Sequence, residues 1–217
     1  LPDGITIELT GEQEDQKETA DFLGLAMLLS VMLILFILTT LFNSIGKTFI
    51  ILSQVLFSVI GVLLGFAIFR MELSIVMTGV GIVALAGIVV NNGILLIEFT
   101  DLLKKQGWKT RDAIIEAGKI RLKPVLLTAI STILGLIPLA VAFNIDFPGL
   151  FANLEPGIYF GGDNAAFWGP LSWTIIFGLL FATILTLVVV PALYLIYYAM
   201  KIRLWRRFNR LRHKLRN

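Results

Sequence analysis

The sequence predicts an all-α, polytopic membrane protein of five transmembrane helices forming part of a helical bundle, and three observations carry that prediction. Hydrophobic residues make up 57% of the 217-residue chain and charged residues only 15%, against roughly 45–50% and about 25% in an ordinary soluble domain. The apolar residues are gathered into five runs, each long enough to cross about 30 Å of hydrocarbon at about 1.5 Å per residue. The charges are segregated: residues 1–21 carry seven acids against one base, Lys17, whereas residues 201–217 carry eight bases and no acid. A soluble chain of this size builds one core, but it cannot hide several uninterrupted runs of spanning length.

The runs are residues 22–43, 48–69, 73–99, 123–143 and 171–199. They lack the alternation of barrel strands, and helices are the other way to satisfy a backbone in lipid. The first run is too long for a signal-peptide core and follows an acidic segment, so it reads as a retained span. In the second, Gly61 and Gly65 form a GxxxG, with Gln54 and Ser58 on nearly the same face. Gly79, Gly81, Ala84 and Gly87 thin the third. Small residues let helix backbones approach closely, so Gly61, Gly65 and Gly87 are expected at packing contacts. Pro138 and Pro191 are expected to kink the fourth and fifth spans unless neighbours satisfy the freed carbonyls.

Orientation follows from the loops. With the N-terminus outside, the inner segments hold sixteen lysines and arginines and the outer segments only Lys17 and Arg70. That is the bias of a chain whose C-terminus is cytoplasmic. Between the third and fourth spans, KKQGWKTRDAIIEAGKIRLK predicts a short interfacial cytoplasmic helix at about residues 110–121. Thr110 would cap it, and Ala113, Ile114, Ala117 and Ile120 would share a face. Residues 144–170 read as an external loop rich in Gly, Pro, Asn and Phe. The tail, residues 200–217, places Leu204, Trp205, Phe208, Leu211 and Leu215 at helical spacing among bases. It suits an amphipathic helix on anionic lipid, or simply a frayed basic end that enforces orientation.

Several function classes fall away. There is no cysteine, and the single histidine, His213, lies in the basic tail, so thiol and histidine chemistry lack support. No metal centre, cofactor or catalytic group is expected: the chain has no HExxH, no phosphate loop and no paired nucleophile and base. Glu98 and Asp101 merely stand three apart near the inner surface. The net charge of +3 is explained by the membrane and needs no nucleic acid.

Polar groups inside the spans are the informative ones, because hydrocarbon makes them costly. In GIVVNNGILLIEF, Asn91, Leu95 and Glu98 fall on one face, with Asn92 beside them. Asn91 lies roughly 12 Å from the inner end of its helix, too deep for headgroup solvation. On the fourth span Thr128, Ser131, Thr132 and Gly135 form a stripe, with Arg121 and Lys123 at its inner mouth. Antiparallel spans bring Glu98 and Arg121 to similar depths, so an ion pair between them is expected. Asn91 and Thr128 read either as functional groups or as hydrogen-bonding glue between helices, worth about 0.6–2 kcal/mol.

Particular strings resemble a known family. GIVVNNGILLIEFTDLLKKQG and AIIEAGKIRLKPVLLTAISTILGLIPLA resemble the tenth and eleventh membrane helices of resistance-nodulation-division (RND) efflux permeases. LPDGITIELTGEQEDQKET, leading into a helix that ends LFNS, is similar to the end of that family's second periplasmic region and its eighth helix; FGLLFATILTLVVVPALYLI is similar to the twelfth. The match covers essentially the whole chain.

The resemblance implies the C-terminal membrane portion of a proton-driven pump in the bacterial inner membrane, multi-pass, N-terminus periplasmic and C-terminus cytoplasmic. It implies a proton antiporter that exports amphiphilic or toxic solutes, as multidrug pumps do, and not an enzyme. Residues 1–21 would close a periplasmic region. The expected partners are the lipid bilayer, the N-terminal half of the transporter, two further copies in a homotrimer, a periplasmic adaptor and an outer-membrane channel. The chain is expected to lack the first half and both substrate-handling domains, and so to be transport-incompetent alone. A non-transporting structural fragment is the alternative, and a heavy-metal exporter is another within the family. Met27, Met32, Met71, Met77 and Met200 share no face, which counts against the metal reading. By the resemblance the proton-relay candidates are Asn91, Thr128 and Arg121, supported by Asn92, Glu98, Ser131 and Thr132. Asn91 stands where multidrug members carry a lysine, and an amide cannot exchange a proton or form that lysine's ion pair.

Overall fold

The computed structural model describes residues 11–146 and 157–214, apart from the side-chain surroundings of residues 12, 13, 146, 163–166 and 204–214. Five helices account for nearly all of it: α1 (Glu12–Phe42), α2 (Ile45–Phe69), α3 (Ile75–Lys105), α4 (Thr110–Ala140) and α5 (Asp163–Lys214). All five are long and apolar enough to cross a membrane. The fold is therefore an all-α, five-span membrane protein.

Short links force each helix to reverse on its predecessor. Asn43 turns the chain out of α1 in the left-handed conformation (φ 45°), and Ser44 leads directly into α2. Arg70 ends α2 in the same conformation, its N–H bonded to carbonyls of the last turn. Ser74 then caps α3, its Oγ accepting from the Met77 N–H at 3.3 Å. Gly107, at φ 92°, turns the chain between α3 and α4.

The core lies where α2, α3 and α5 meet. About half of the apolar windows of α3 and α5 is buried and 44% of that of α2, against 11% for α4 and 6% for α1. Small residues permit this closeness. A Cβ added at Gly61 would collide with Phe181, at Gly65 with Phe177, and at Gly178 with Leu85. Phe177 fills the resulting niche, edge-on to Phe66 and stacked on Phe69 and Trp173 with centroids 5.2–5.8 Å apart. Gly87 differs from the expectation: a Cβ there would meet nothing within 4 Å. It faces outward, because its neighbours Leu85, Ala86 and Val89 occupy the buried arc.

Two segments differ from the sequence expectations. The helix expected at 110–121 and the span expected at 123–143 form one unbroken helix with Pro124 inside it, and Lys109, without a side-chain bond, replaces Thr110 at the cap position. Within that stretch Ala113, Ile114 and Ala117 are fully buried against a cluster that includes Leu103 and Tyr194. Burial of that face joins the two segments. Where a loop is expected over residues 144–170, an antiparallel pair of strands forms, β1 (Phe143–Asp146) and β2 (Gly157–Phe160). Asn144 Nδ2 ties them by donating to the Ala142 and Gly161 carbonyls at 3.0 and 2.7 Å, and the Trp173 indole N–H bonds the Ala140 carbonyl at 2.9 Å. Pro138 and Pro191 lie within unbroken helices. The backbone of α5 runs helical into the tail as far as Lys214. The expected contacts of Leu204, Trp205, Phe208, Leu211 and Leu215 lie outside the described residues, as do residues 1–10 and 147–156.

Candidate functional site

Successive residues of a helix point about 100° apart, and α3 uses that rotation to separate its two asparagines. Asn92 is turned inward and is 4% exposed. Asn91 is exposed, and so is Glu98 on the same face. On the adjoining helix α4, Thr128 and Ser131 are exposed and Thr132 is half-buried. Their hydroxyls are bonded within α4 itself: Thr128 donates to the Pro124 carbonyl at 2.9 Å, Ser131 to that of Leu127 at 2.8 Å, and Thr132 to that of Thr128 at 2.8 Å. The amide of Asn91 and these hydroxyls are thus presented outward from two packed spans, and Thr128 is not bonded to Asn91.

The expected pair between Glu98 and Arg121 is not made. The Arg121 guanidinium lies over the Phe99 ring, 4.8 Å from its centroid, and its Nε is buried without a hydrogen-bond partner among the described residues. The physical reason is again rotation. α4 meets α3 on the side of Phe99, one residue and about 100° away from Glu98. On this end of α3 the paired carboxylate is Asp101. It accepts from Lys47 of α2 at 2.5 Å and from the Tyr194 hydroxyl of α5 at 2.9 Å, tying three helices at the basic end of the bundle. The position of Asp101 beside Glu98 was the only hint of this in the sequence, and nothing marked Lys47 or Tyr194 as its partners.

A second polar group lies inside the seam. Gln54 is 2% exposed; its Oε1 accepts from the Thr186 hydroxyl at 3.3 Å, while its Nε2 has no partner among the described residues. Gly93 makes room for this amide, since a Cβ there would strike it. Ser58 and Thr183 are buried on the same two helices, each bonded to its own backbone. The arrangement suits interhelical adhesion. The described residues include no group of three His, Cys, Asp or Glu able to hold a metal.

Comparison with known proteins agrees with this architecture. The family model described as the AcrB/AcrD/AcrF family matches residues 1–198. The swarming motility protein SwrC of Bacillus subtilis is 36% identical over 193 residues, covering 89% of this chain and 17% of that protein. The multidrug resistance protein MdtC of Cronobacter sakazakii is 27% identical over 208 residues, covering 95% and 18%. Among solved structures, the crystal structure of a heavy metal efflux pump (crystal form II) superposes with a TM-score of 0.68 at 27% identity, over 90% of this chain and 18% of the other. The chain thus spans about a sixth of the length of the relatives it matches.

Proposed function

The chain belongs to the AcrB/AcrD/AcrF family of RND efflux permeases, and we propose that it is the C-terminal membrane portion of a proton-driven pump that exports amphiphilic or toxic solutes. In this reading the acidic N-terminus faces the periplasm, the basic C-terminus faces the cytoplasm, and the pump assembles as a trimer with an adaptor and an outer-membrane channel. The observation that carries it is the outward face of α3 and α4. Asn91, Thr128 and Ser131 are exposed on helices otherwise fit for lipid, and polar groups left in hydrocarbon are costly. They call for a polar partner surface, which the other half of a two-half bundle supplies.

The chemistry at that surface differs from a lysine-based relay. Asn91 remains neutral and can only donate and accept hydrogen bonds. Arg121, always cationic, then favours the deprotonated form of acids of the opposite half, and the Thr128 hydroxyl, able to donate and accept, passes the released proton. Replacing Thr128 by Ala in the full-length protein should lower export at least tenfold at unchanged abundance. Wild-type export would remove Thr128 from the relay.

A heavy-metal reading is favoured by the structural likeness to a metal pump. Resistance of a host lacking its own pumps separates the two. Protection against detergents and dyes supports the amphiphile reading, and protection against divalent cations alone supports the metal reading.

A further inference from the structure

At the basic end of the bundle, a groove of about 540 Å³ opens between the α1–α2 turn and the last turns of α3. Five charged residues line it: Lys47, Lys104 and Lys105 against Glu98 and Asp101. Asp101 is already bonded to Lys47 and to the Tyr194 hydroxyl. Lys104 lies over the Tyr198 ring, 3.8 Å from its centroid, a contact that fixes an ammonium without neutralising it. Lys105 is exposed and closes the groove on the outer side. Glu98 stands seven residues back along α3, about 10 Å deeper than Lys105. The free charge at the mouth is therefore cationic. The wall beneath it is apolar, formed by Leu41 and Leu102, which are 58% and 48% exposed.

We propose that this groove holds an anionic phospholipid of the adjacent leaflet, its phosphate between Lys104 and Lys105 and its chains descending along Leu102 and Leu41. A cationic mouth above an apolar wall at the end of a spanning helix matches a phosphodiester joined to acyl chains. Diffuse attraction between basic loops and anionic lipid would not need the groove, and that difference makes the site testable. The inference rests on the membrane-spanning fold, and on the proposed orientation only for assigning the leaflet as cytoplasmic.

The test is native mass spectrometry of the delipidated full-length protein in detergent, titrated with phosphatidylglycerol or phosphatidylcholine of identical chains. Phosphatidylglycerol should be retained about twenty-five-fold more strongly, about fivefold for each of the two lysines. Lys105→Gln should lower that preference about fivefold, as one lysine near a lipid surface is worth, and adding Lys104→Gln should abolish it. Arg111→Gln, on the exposed first turn of α4 outside the groove, should leave it unchanged. Glycerophosphoglycerol, the headgroup without chains, should not displace the lipid. Equal retention of the two lipids, an Arg111→Gln effect as large as that of Lys105→Gln, or displacement by the soluble headgroup would each overturn the proposal. None of these readouts uses transport, so their failure is distinct from failure of the proposed pump function.

Discussion

The seam joining α2, α3 and α5 and the outward faces of α3 and α4 carry similar polar residues in opposite settings. In the seam, Gln54, Asn92 and Thr186 are buried among close-packed helices. On the outward face, Asn91, Thr128 and Ser131 are exposed, and both hydroxyls are bonded to their own helix. The difference teaches what each polar group can do. A buried amide with fixed neighbours adds to adhesion between helices, worth about 0.6–2 kcal/mol. An outward amide in a span has no such neighbours among the described residues, so its use depends on what covers it.

Substitutions that treat the two regions alike should expose the contrast, and the largest effect is expected in the seam. Gly178→Leu drives a side chain into Leu85 and Val62, and overpacking a tight contact costs about 1–3 kcal/mol or more. Membrane abundance and the thermal midpoint in detergent should both fall sharply. Normal values would mean that the helices are farther apart than described. Next comes the matched pair Asn92→Phe and Asn91→Phe. The first should destabilise by about 1–3 kcal/mol because its site is filled. The second should shift stability by less than about 0.5 kcal/mol yet reduce export by the full-length protein. Equal effects on thermal stability would erase the distinction between the two faces.

A smaller change sharpens the comparison within the seam. Thr186→Val removes the donor to Gln54 Oε1 and should cost about 1 kcal/mol in thermal unfolding, while the doubly substituted Thr186→Val, Gln54→Leu protein should recover part of that loss. No recovery would sever the two side chains energetically. The smallest effect is expected at Gly87→Ala, where space is open. A better helix former should leave stability unchanged or raise it by up to about 1 kcal/mol. A marked loss would place an unseen contact there.

Much of the candidate site was legible as a set of residues but not as an arrangement. Spacing put Asn91 and Glu98 on one face of α3, and both are exposed on it. It also gave Arg121 the right depth to meet α3, yet the side chain chose the Phe99 ring over Glu98. The ion pair formed instead by Lys47 and Asp101 depends on how α2 is rotated against α3, and no local pattern encodes that rotation. Gly61 and Gly65 were readable because a GxxxG has one close-packing face, and Phe177 and Phe181 fill it. Gly87 was misread because a lone glycine does not say which way it points.

The amino-acid sequence by itself determined that five stretches of this chain would be helices in a bilayer and roughly where each would run. It could do so because transfer into hydrocarbon is summed residue by residue, and every backbone group in lipid must be bonded within its own segment. Only the tertiary structure decided which face of each rod is covered, that α4 continues unbroken through Pro124, and that Asn92 lies inside while Asn91 lies outside. Those outcomes depend on rotations of helices that carry apolar residues on every side, and contacts between rods settle such rotations where solvation of a single rod only weakly favours one.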